Sequence, residues 1–533
     1  MLKKVRDKKF TALAVATSMI FGITTPLTTV KATENLAPEN LEKKGEEASL
    51  KKEGDVTIQI LGTSDLHGRF MNYEYARNQK SDGGLNQIST LVNEARKENP
   101  NTIVVDNGDT IQGNFNHLFK NDPNPMFMGM NAIGYDVFSL GNHEFNYGMD
   151  NLNNVVSQAN DNLDVLCANL YKDGKRVYEG YTTREIEGVE VALIGVVSPH
   201  IMKWDSENLK GYEAKNPAEE VGFVIDEIEN RPEGGADVYA VVSHVGLESE
   251  YGNGDSARAI AEMNPEVSAI VAGHSHTNVP EEKINNAVIS QPTSNGQMVS
   301  KIELTVRKNG EKVEVVDKKS KLLSTMGVAE DQKINDLLAN FHNTAIADAT
   351  APVGEMVGGN LADKNEIKEI PQSLVEDQGI TDFINEVQLY NSRKHLESKN
   401  INPDEAYMVS GAALFSASSN LYEGNISKAD ISNIYRYDNK LYTIKTNGKQ
   451  LKKYMEKNAE YYNTYKDGDL TVSFNEDVRM YLYDMFDGIS YEINISKEPG
   501  QRIENLKFEK DGKPVEDSDV VYLTVNDYRY NSG

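Results

Sequence analysis

The chain of 533 residues contains one cysteine, Cys167. No internal disulfide can form, so stability has to come from core burial rather than cross-links. The surrounding "LDVLCANL" reads as a buried strand, making Cys167 a packed thiol rather than a reactive one. Positive charge is also scarce. Lysine and arginine total 55 against 82 acidic residues, a formal net charge of −27. Such a surface disfavours nucleic-acid polymers and bare anionic membranes as partners, and an anionic substrate would need a local source of positive charge. Beyond residue 32 no long apolar run occurs, which excludes a transmembrane segment there. Internal repeats are absent too, arguing against a repeat architecture.

The N-terminus is different. "MLKKVRDKKF" is basic, "TALAVATSMIFGI" is apolar, and "VKA" offers a small-residue cleavage site before Thr33. Residues 1–32 read as a secretory signal, too short in its apolar part to span a bilayer comfortably. The mature protein is therefore expected to be secreted or cell-surface associated, outside a bacterial cytoplasm. Residues 33–54 are polar without apolar periodicity and read as a flexible tether.

From Val56 onward, short apolar runs alternate with helical patterns. Strands are expected at "VTIQIL", "TIVVD", "DVFSL", "DVLCA", "VEVALIGVV", "DVYAVVS" and "VSAIVAG". Between the first two, Leu85, Ile88, Leu91, Val92 and Ala95 share one helix face. The alternation implies an α/β layer fold over residues 55–325. Residues 326–350 read as a linker helix. Residues 351–533 are richer in Tyr, Asn and Lys and carry an α+β pattern, with helices near 381–397 and 449–462 and strands at "YLYDMFDGISYEINI" and "VVYLTVNDYR".

Residues able to bind a metal cluster where the strands end. Asp65 and His67 follow the first strand, Asp109 the second, and Asn142 with His143 the third. His244 closes "DVYAVVSH", while His274 and His276 close "VSAIVAGHSH". In open α/β sheets the C-terminal strand ends share one crevice. Five of the nine histidines fall in these motifs; His117, His200, His342 and His395 do not. Imidazole with carboxylate suits Zn, Mn, Fe or Co rather than Ca or Mg. So many donors suggest two divalent ions roughly 3.5–4 Å apart, a pair that activates water and clamps phosphoryl oxygens. Those cations would also offset the protein's acidity towards a phosphate.

"DLHG", "NGD", "GNHEF", "SHVG" and "GHSH", in this order, resemble the calcineurin-like metallophosphoesterases, and the whole mature chain resembles their 5′-nucleotidase branch. The resemblance implies a four-layer αββα sandwich, then an α+β C-terminal domain that binds substrate. One metal would take Asp65, His67, Asp109 and His276; the other would take Asp109, Asn142, His244 and His274. His143 would stabilise the transition state or protonate the leaving oxygen. 5′-Nucleotidases usually hold that histidine with an Asp three residues on, and this chain has Asn146 there. "GNHEFNYG" is similar instead to the bacterial 2′,3′-cyclic-nucleotide 2′-phosphodiesterase/3′-nucleotidases. So are "IYRYDNKLYTIKTNGKQLKKYMEKNAEYYN" and "VNDYRYNSG", while "MVSGAALFSASSNLYEG" lacks the Gly-run and Arg of 5′-nucleotidases. Tyr437 and Tyr528 would then sandwich the base. The family usually continues with further glycines after "NDYR", so a truncated C-terminus is expected. The alternatives are a 5′-nucleotidase or nucleotide-sugar hydrolase with the same metals, and a surface nucleotide-binding protein without turnover.

Overall fold

The computed structural model describes residues 54–532 apart from 122, 251, 253, 311, 369, 417–418 and 436–438. The expected signal, nearly all of the tether, and Tyr437 lie outside the described residues.

The main strands of the first half are, in chain order, β1 (Val56–Thr63), β2 (Thr102–Asp106), β3 (Val137–Ser139), β4 (Asp164–Leu166), β5 (Tyr181–Ile186), β6 (Val189–Val197), β7 (Val238–His244), β8 (Val267–Ala272), β9 (Val279–Ile284), β10 (Ala287–Gln291), β11 (Met298–Asn309) and β12 (Lys312–Ser324). They form two six-stranded sheets, ordered β12-β11-β1-β2-β3-β4 and β9-β10-β8-β7-β6-β5. Strands β1 to β4 run parallel in the first sheet, as do β6, β7, β8 and β10 in the second. Antiparallel strands close the edges.

Alternation along each strand divides its side chains between two cores. In β6, Val191 and Leu193 join Ile58, Ile60, Ile103 and Ile302 in a dry layer between the sheets. Their neighbours Ala192, Ile194 and Val196 face the helices α3 (Pro217–Glu229) and α4 (Ala257–Met263) instead. On the first sheet, Leu61, Val104 and Phe138 meet α1 (Leu85–Glu98), α2 (Pro125–Ile133) and α5 (Gln332–Ala349). Four layers result, helix–sheet–sheet–helix. Asn-Pro pairs start two of the helices: the side chains of Asn124 and Asn216 accept backbone N–H bonds from Met126 and Ala218, ahead of a first-turn proline. Cys167 is wholly buried, and burial pushes its thiol up to about 12. It is a packed thiol.

Helix α5 lays Ile334 and Leu338 on the first-half core and is tied there by Ser89 Oγ donating to Asp331 (2.7 Å) and Asn86 donating to Asn335 (2.9 Å). The second half builds a smaller sheet from β13 (Tyr407–Ala412), β14 (Leu441–Asn447), β15 (Met485–Asp487) and β16 (Val520–Asn526), in the order β14-β16-β13-β15. Val409, Val521 and Leu523 pack there against Leu451 and Met455 of helix 448–458. Two expected strands are cut short. "YLYDMFDGISYEINI" breaks at Gly488, whose φ of +83° turns the chain from this sheet to a separate hairpin. "VVYLTVNDYR" stops at Asn526, whose side chain accepts the Arg529 N–H (2.8 Å) and starts a short helix, Asp527–Ser532. No helix among the described residues is long and apolar enough to cross a membrane.

Leu193 lies between the sheets while Phe223, on α3, is 61% exposed. Leu193→Ala is expected to lower stability by about 2–5 kcal/mol, and Phe223→Ala to change it by no more than about 0.5 kcal/mol. Urea denaturation of the two variants compares them directly.

Candidate metal centre

All seven residues expected to hold metals come together at the C-terminal ends of β1, β2 and β3 in one sheet and β7 and β8 in the other. Two compact groups emerge, Asp65–His67–His276 and Asp109–His244–His274, with the donor atoms of each group within 4.8 Å of one another. Within the first group, Nε2 of His67 faces Nε2 of His276 at 3.2 Å, and Asp65 Oδ1 lies 3.1 Å from the latter. In the second, His244 Nε2 is 3.1 Å from Asp109 Oδ2. Asn142 Oδ1 approaches His244 Nε2 at 3.2 Å and His274 Nδ1 at 2.8 Å. Asp109 Oδ2 also lies 3.9 Å from His143 Nε2.

Opposite edges of several donors are already committed. His244 Nδ1 donates to the Asn107 carbonyl, which leaves Nε2 facing the centre. Asp65 Oδ2 accepts from Ser64 Oγ and the His274 N–H, whereas Oδ1 is buried with no well-formed hydrogen bond. Five of these residues hold a left-handed backbone: Asp65 (φ 54°), His67 (46°), Asp109 (54°), His274 (68°) and His276 (53°). Each such conformation costs on the order of 1 kcal/mol for a non-glycine residue. Facing imidazole nitrogens and an undonated carboxylate oxygen, held on loops that include these left-handed residues, fit two divalent cations.

Electrostatics agree. Burial and the adjacent His276 drive His67 down to about 3; burial and His244 drive His274 down to about 4. Both rings are therefore neutral, the form that ligates. Burial alone would also depress His244, but Asp109 and Asp65 outweigh it and raise that ring to about 10. Burial tends to raise both of those carboxyls, yet the surrounding histidines hold them below the ordinary carboxylate range. Two carboxylates here demand positive charge, and in the metal-free chain a proton on His244 answers that demand.

Two contributors were not singled out by the sequence reading. Glu144 is buried beneath the loops, and its carboxylate accepts the N–H groups of Asp109 (2.7 Å), Thr110 (2.8 Å), Ile111 (3.1 Å) and Gly141 (2.8 Å). These loops interlock so closely that a Cβ on Gly108 would lie 2.1 Å from the Gly141 nitrogen. Trp204, the one tryptophan of the chain, stacks on His274 with ring centroids 5.3 Å apart and planes 26° from parallel. Nothing in the spacing of "IMKWDSEN" points to the Trp204 contact.

His143 and Asn146 also fall at the centre, with the ring's Nδ1 2.7 Å from Asn146 Oδ1. Both line a cleft of about 750 Å³ whose far wall belongs to the second half of the chain. Lys440, Arg479, Tyr481 and Tyr528 stand on that wall. Tyr528 is 44% exposed and meets Tyr481 edge-on at 6.3 Å. Tyr437 is outside the described residues. The lysine and arginine add local positive charge that the net charge conceals.

Because a cation displaces the His244 proton, metal affinity is expected to fall as pH drops below about 10, by roughly tenfold per pH unit for each proton released. Quenching of Trp204 fluorescence by Mn²⁺, titrated between pH 6 and 8 (roughly, to span the neutral range), reads this without turnover. A pH-independent midpoint would contradict the proton exchange.

Comparison with known proteins matches this geometry. Residues 58–278 match the calcineurin-like phosphoesterase family and residues 338–533 the 5′-nucleotidase C-terminal domain. A trifunctional nucleotide phosphoesterase of Bacillus subtilis is 27% identical over 97% of this chain, which spans only 37% of that protein's length. A 2′,3′-cyclic-nucleotide 2′-phosphodiesterase/3′-nucleotidase of Salmonella typhimurium is 26% identical, covering 90% of this chain and 82% of its own. In fold, a Staphylococcus aureus protein solved in complex with α-ketoglutarate superposes with a TM-score of 0.74 at 23% identity, over 90% of this chain and 91% of that one. Two matched domains in this order, joined to a two-cation donor set, mean that the chain belongs to the calcineurin-like phosphoesterases with a 5′-nucleotidase C-terminal domain, metal-dependent hydrolases of phosphate esters.

Proposed function

We propose that the protein hydrolyses 2′,3′-cyclic nucleotides to 3′-nucleotides and 3′-nucleotides to nucleosides and phosphate, outside the cytoplasm. Asn146 carries this reading: the histidine at the centre is held by an amide oxygen at 2.7 Å, where 5′-nucleotidases usually place a carboxylate. The activity named for the Salmonella relative, aligned over 90% of this chain, supports the same branch. The expected signal at residues 1–32 supports export.

In this reading Asp65, His67, Asp109 and His276 hold one cation, and Asp109, Asn142, His244 and His274 hold the other. When bound, such a pair supplies a water activated at neutral pH and positive charge against the phosphoryl oxygens. The chain's own residues do the rest. His143 keeps Nδ1 on Asn146 and presents Nε2 to the centre, where it stabilises charge on the phosphoryl group or gives a proton to the departing ester oxygen. That oxygen is the 2′-oxygen in the cyclic ester and the 3′-oxygen in the monoester. One centre serves both cleavages because each expels a ribose oxygen from the same phosphorus. Across the cleft, Tyr528 takes one flat face of the base; Tyr437, expected from the resemblance to take the other, lies outside the described residues.

Phosphate release from 2′,3′-cyclic AMP (with a coupling phosphatase), 3′-AMP and 5′-AMP, with Mn²⁺ or Co²⁺ present, is expected to favour the first two. A preference for 5′-AMP would leave the metal centre standing and overturn the meaning given to Asn146. Asp109→Ala, which removes the shared carboxylate, is expected to abolish turnover; activity within about threefold of the parent would remove the bridging role.

A further inference from the structure

We infer that Asp205 is a positioning residue for His143, acting through the side-chain amide of Asn146. The inference rests on the role proposed above for His143 and extends it to a residue outside the motif.

Asn146 is bonded on both sides. Its Oδ1 faces His143 Nδ1 at 2.7 Å, and its Nδ2 donates to Asp205 Oδ2 at 3.0 Å. The other carboxylate oxygen of Asp205 accepts from Asn208 Nδ2 at 3.0 Å. That same amide nitrogen also reaches the carbonyls of Phe145 (2.9 Å) and Asn146 (3.1 Å), so it is anchored to the loop carrying the histidine. Asp205 is only 8% exposed although it reaches the cleft wall.

The directions of these bonds are determined by chemistry. An ionised carboxylate only accepts, so the NH₂ end of Asn146 has to face Asp205. The oxygen end then has to face the ring, and the ring has to carry its proton on Nδ1 to satisfy it. Nε2 is thereby left on the reacting side, 3.9 Å from Asp109 Oδ2. Without a carboxylate at 205 the amide is free to turn over, and the ring loses both its tautomer and its orientation. The negative charge missing from position 146 therefore stands one hydrogen bond further out. It comes from the turn that also lays Trp204 on His274. Two consecutive residues of "KWDS" thus meet the centre, one at His274 and the other through Asn146.

A carboxylate–amide exchange tests this. In the double variant Asn146→Asp/Asp205→Asn, the carboxylate beside the ring accepts from His143 and from the amide that now faces it. The oxygen of that amide accepts from Asn208, so no bond of the chain is lost. Each single variant breaks it. Asp205→Asn leaves one amide oxygen for the NH₂ groups of both Asn146 and Asn208, so its own NH₂ opposes one of them, and Asn146→Asp brings two carboxylates to hydrogen-bond distance.

The measurements are kcat and KM on whichever nucleotide of the panel above turns over fastest, and Mn²⁺ affinity by calorimetry. His143 tautomer is read by ¹⁵N NMR of histidine-labelled, metal-free protein. Asp205→Asn is expected to lower kcat ~10–100-fold with KM and Mn²⁺ affinity little changed, and to mix the tautomers of His143. His143→Ala should lose ~10²–10⁴-fold. The exchange should return kcat to within about threefold of the parent and restore the Nδ1–H form. If the two single losses multiply in the exchange, or Asp205→Asn weakens Mn²⁺ binding as much as kcat, Asp205 is structural and the inference is wrong. His143→Ala impaired with Asp205→Asn at the parental kcat would overturn the inference alone. An unimpaired His143→Ala would overturn the proposed role of His143, and the inference with it.

Discussion

The buried carboxylate of Glu144 ties together the two loops on which the centre depends. Its four backbone N–H partners belong to the stretch from Asp109 to Ile111 and to Gly141. One loop leaves β2 and the other leaves β3. Burial and the nearby Asp109 push this carboxyl up, while the backbone bonds work the other way and favour its charge. Bonds to a charged acceptor are worth about 1.5–3 kcal/mol each, enough to offset much of the strain in the left-handed residues nearby. Asp109 and Asn142 stand at a set separation because a third residue, itself no ligand, grips both backbones.

Charge follows from that frame. An acidic chain that handles phosphate esters has to concentrate positive charge where the reaction occurs. Here two carboxylates are buried among five histidines, and mutual influence sorts the rings. His67 and His274 are driven neutral while His244 is held towards its charged form. Cations compete with the His244 proton, so the arrangement favours them increasingly as pH rises. Lys440 and Arg479 add a second, weaker source on the opposite wall of the cleft.

The amide at Asn146 changes meaning once its surroundings are known. Read along the chain, it removes a charge from a position where a carboxylate usually orients the histidine. In space, the amide is a link with Asp205 at its other end. The distinction matters for specificity arguments, since an isolated amide and an amide backed by a carboxylate hold an imidazole differently. Fifty-nine residues separate the two ends of that bond, and no local pattern announces it.

How much was legible depends on the range of the interaction. The strand run of the first half follows locally from its apolar pattern and was readable directly, the four layers followed from the family resemblance, and the helix starts at Asn124 and Asn216 were not singled out. The gathering of these Asp, Asn and His residues at one crevice was readable because each follows a strand, and strand ends in parallel sheets share an edge. Less was legible in the second half, where Gly488 and the Asn526 cap cut expected strands short. Glu144, Trp204 and Asp205 were invisible, because their partners lie on other elements and a single Glu, Trp or Asp carries no spacing signal. Local pattern along the chain thus carries the strand run, the cluster of candidate ligands at the strand ends and the chain's acidity. Which backbone Glu144 grips, which ring Trp204 covers and which carboxylate stands behind His143 were settled by packing, since those contacts exist only after the two sheets have come together.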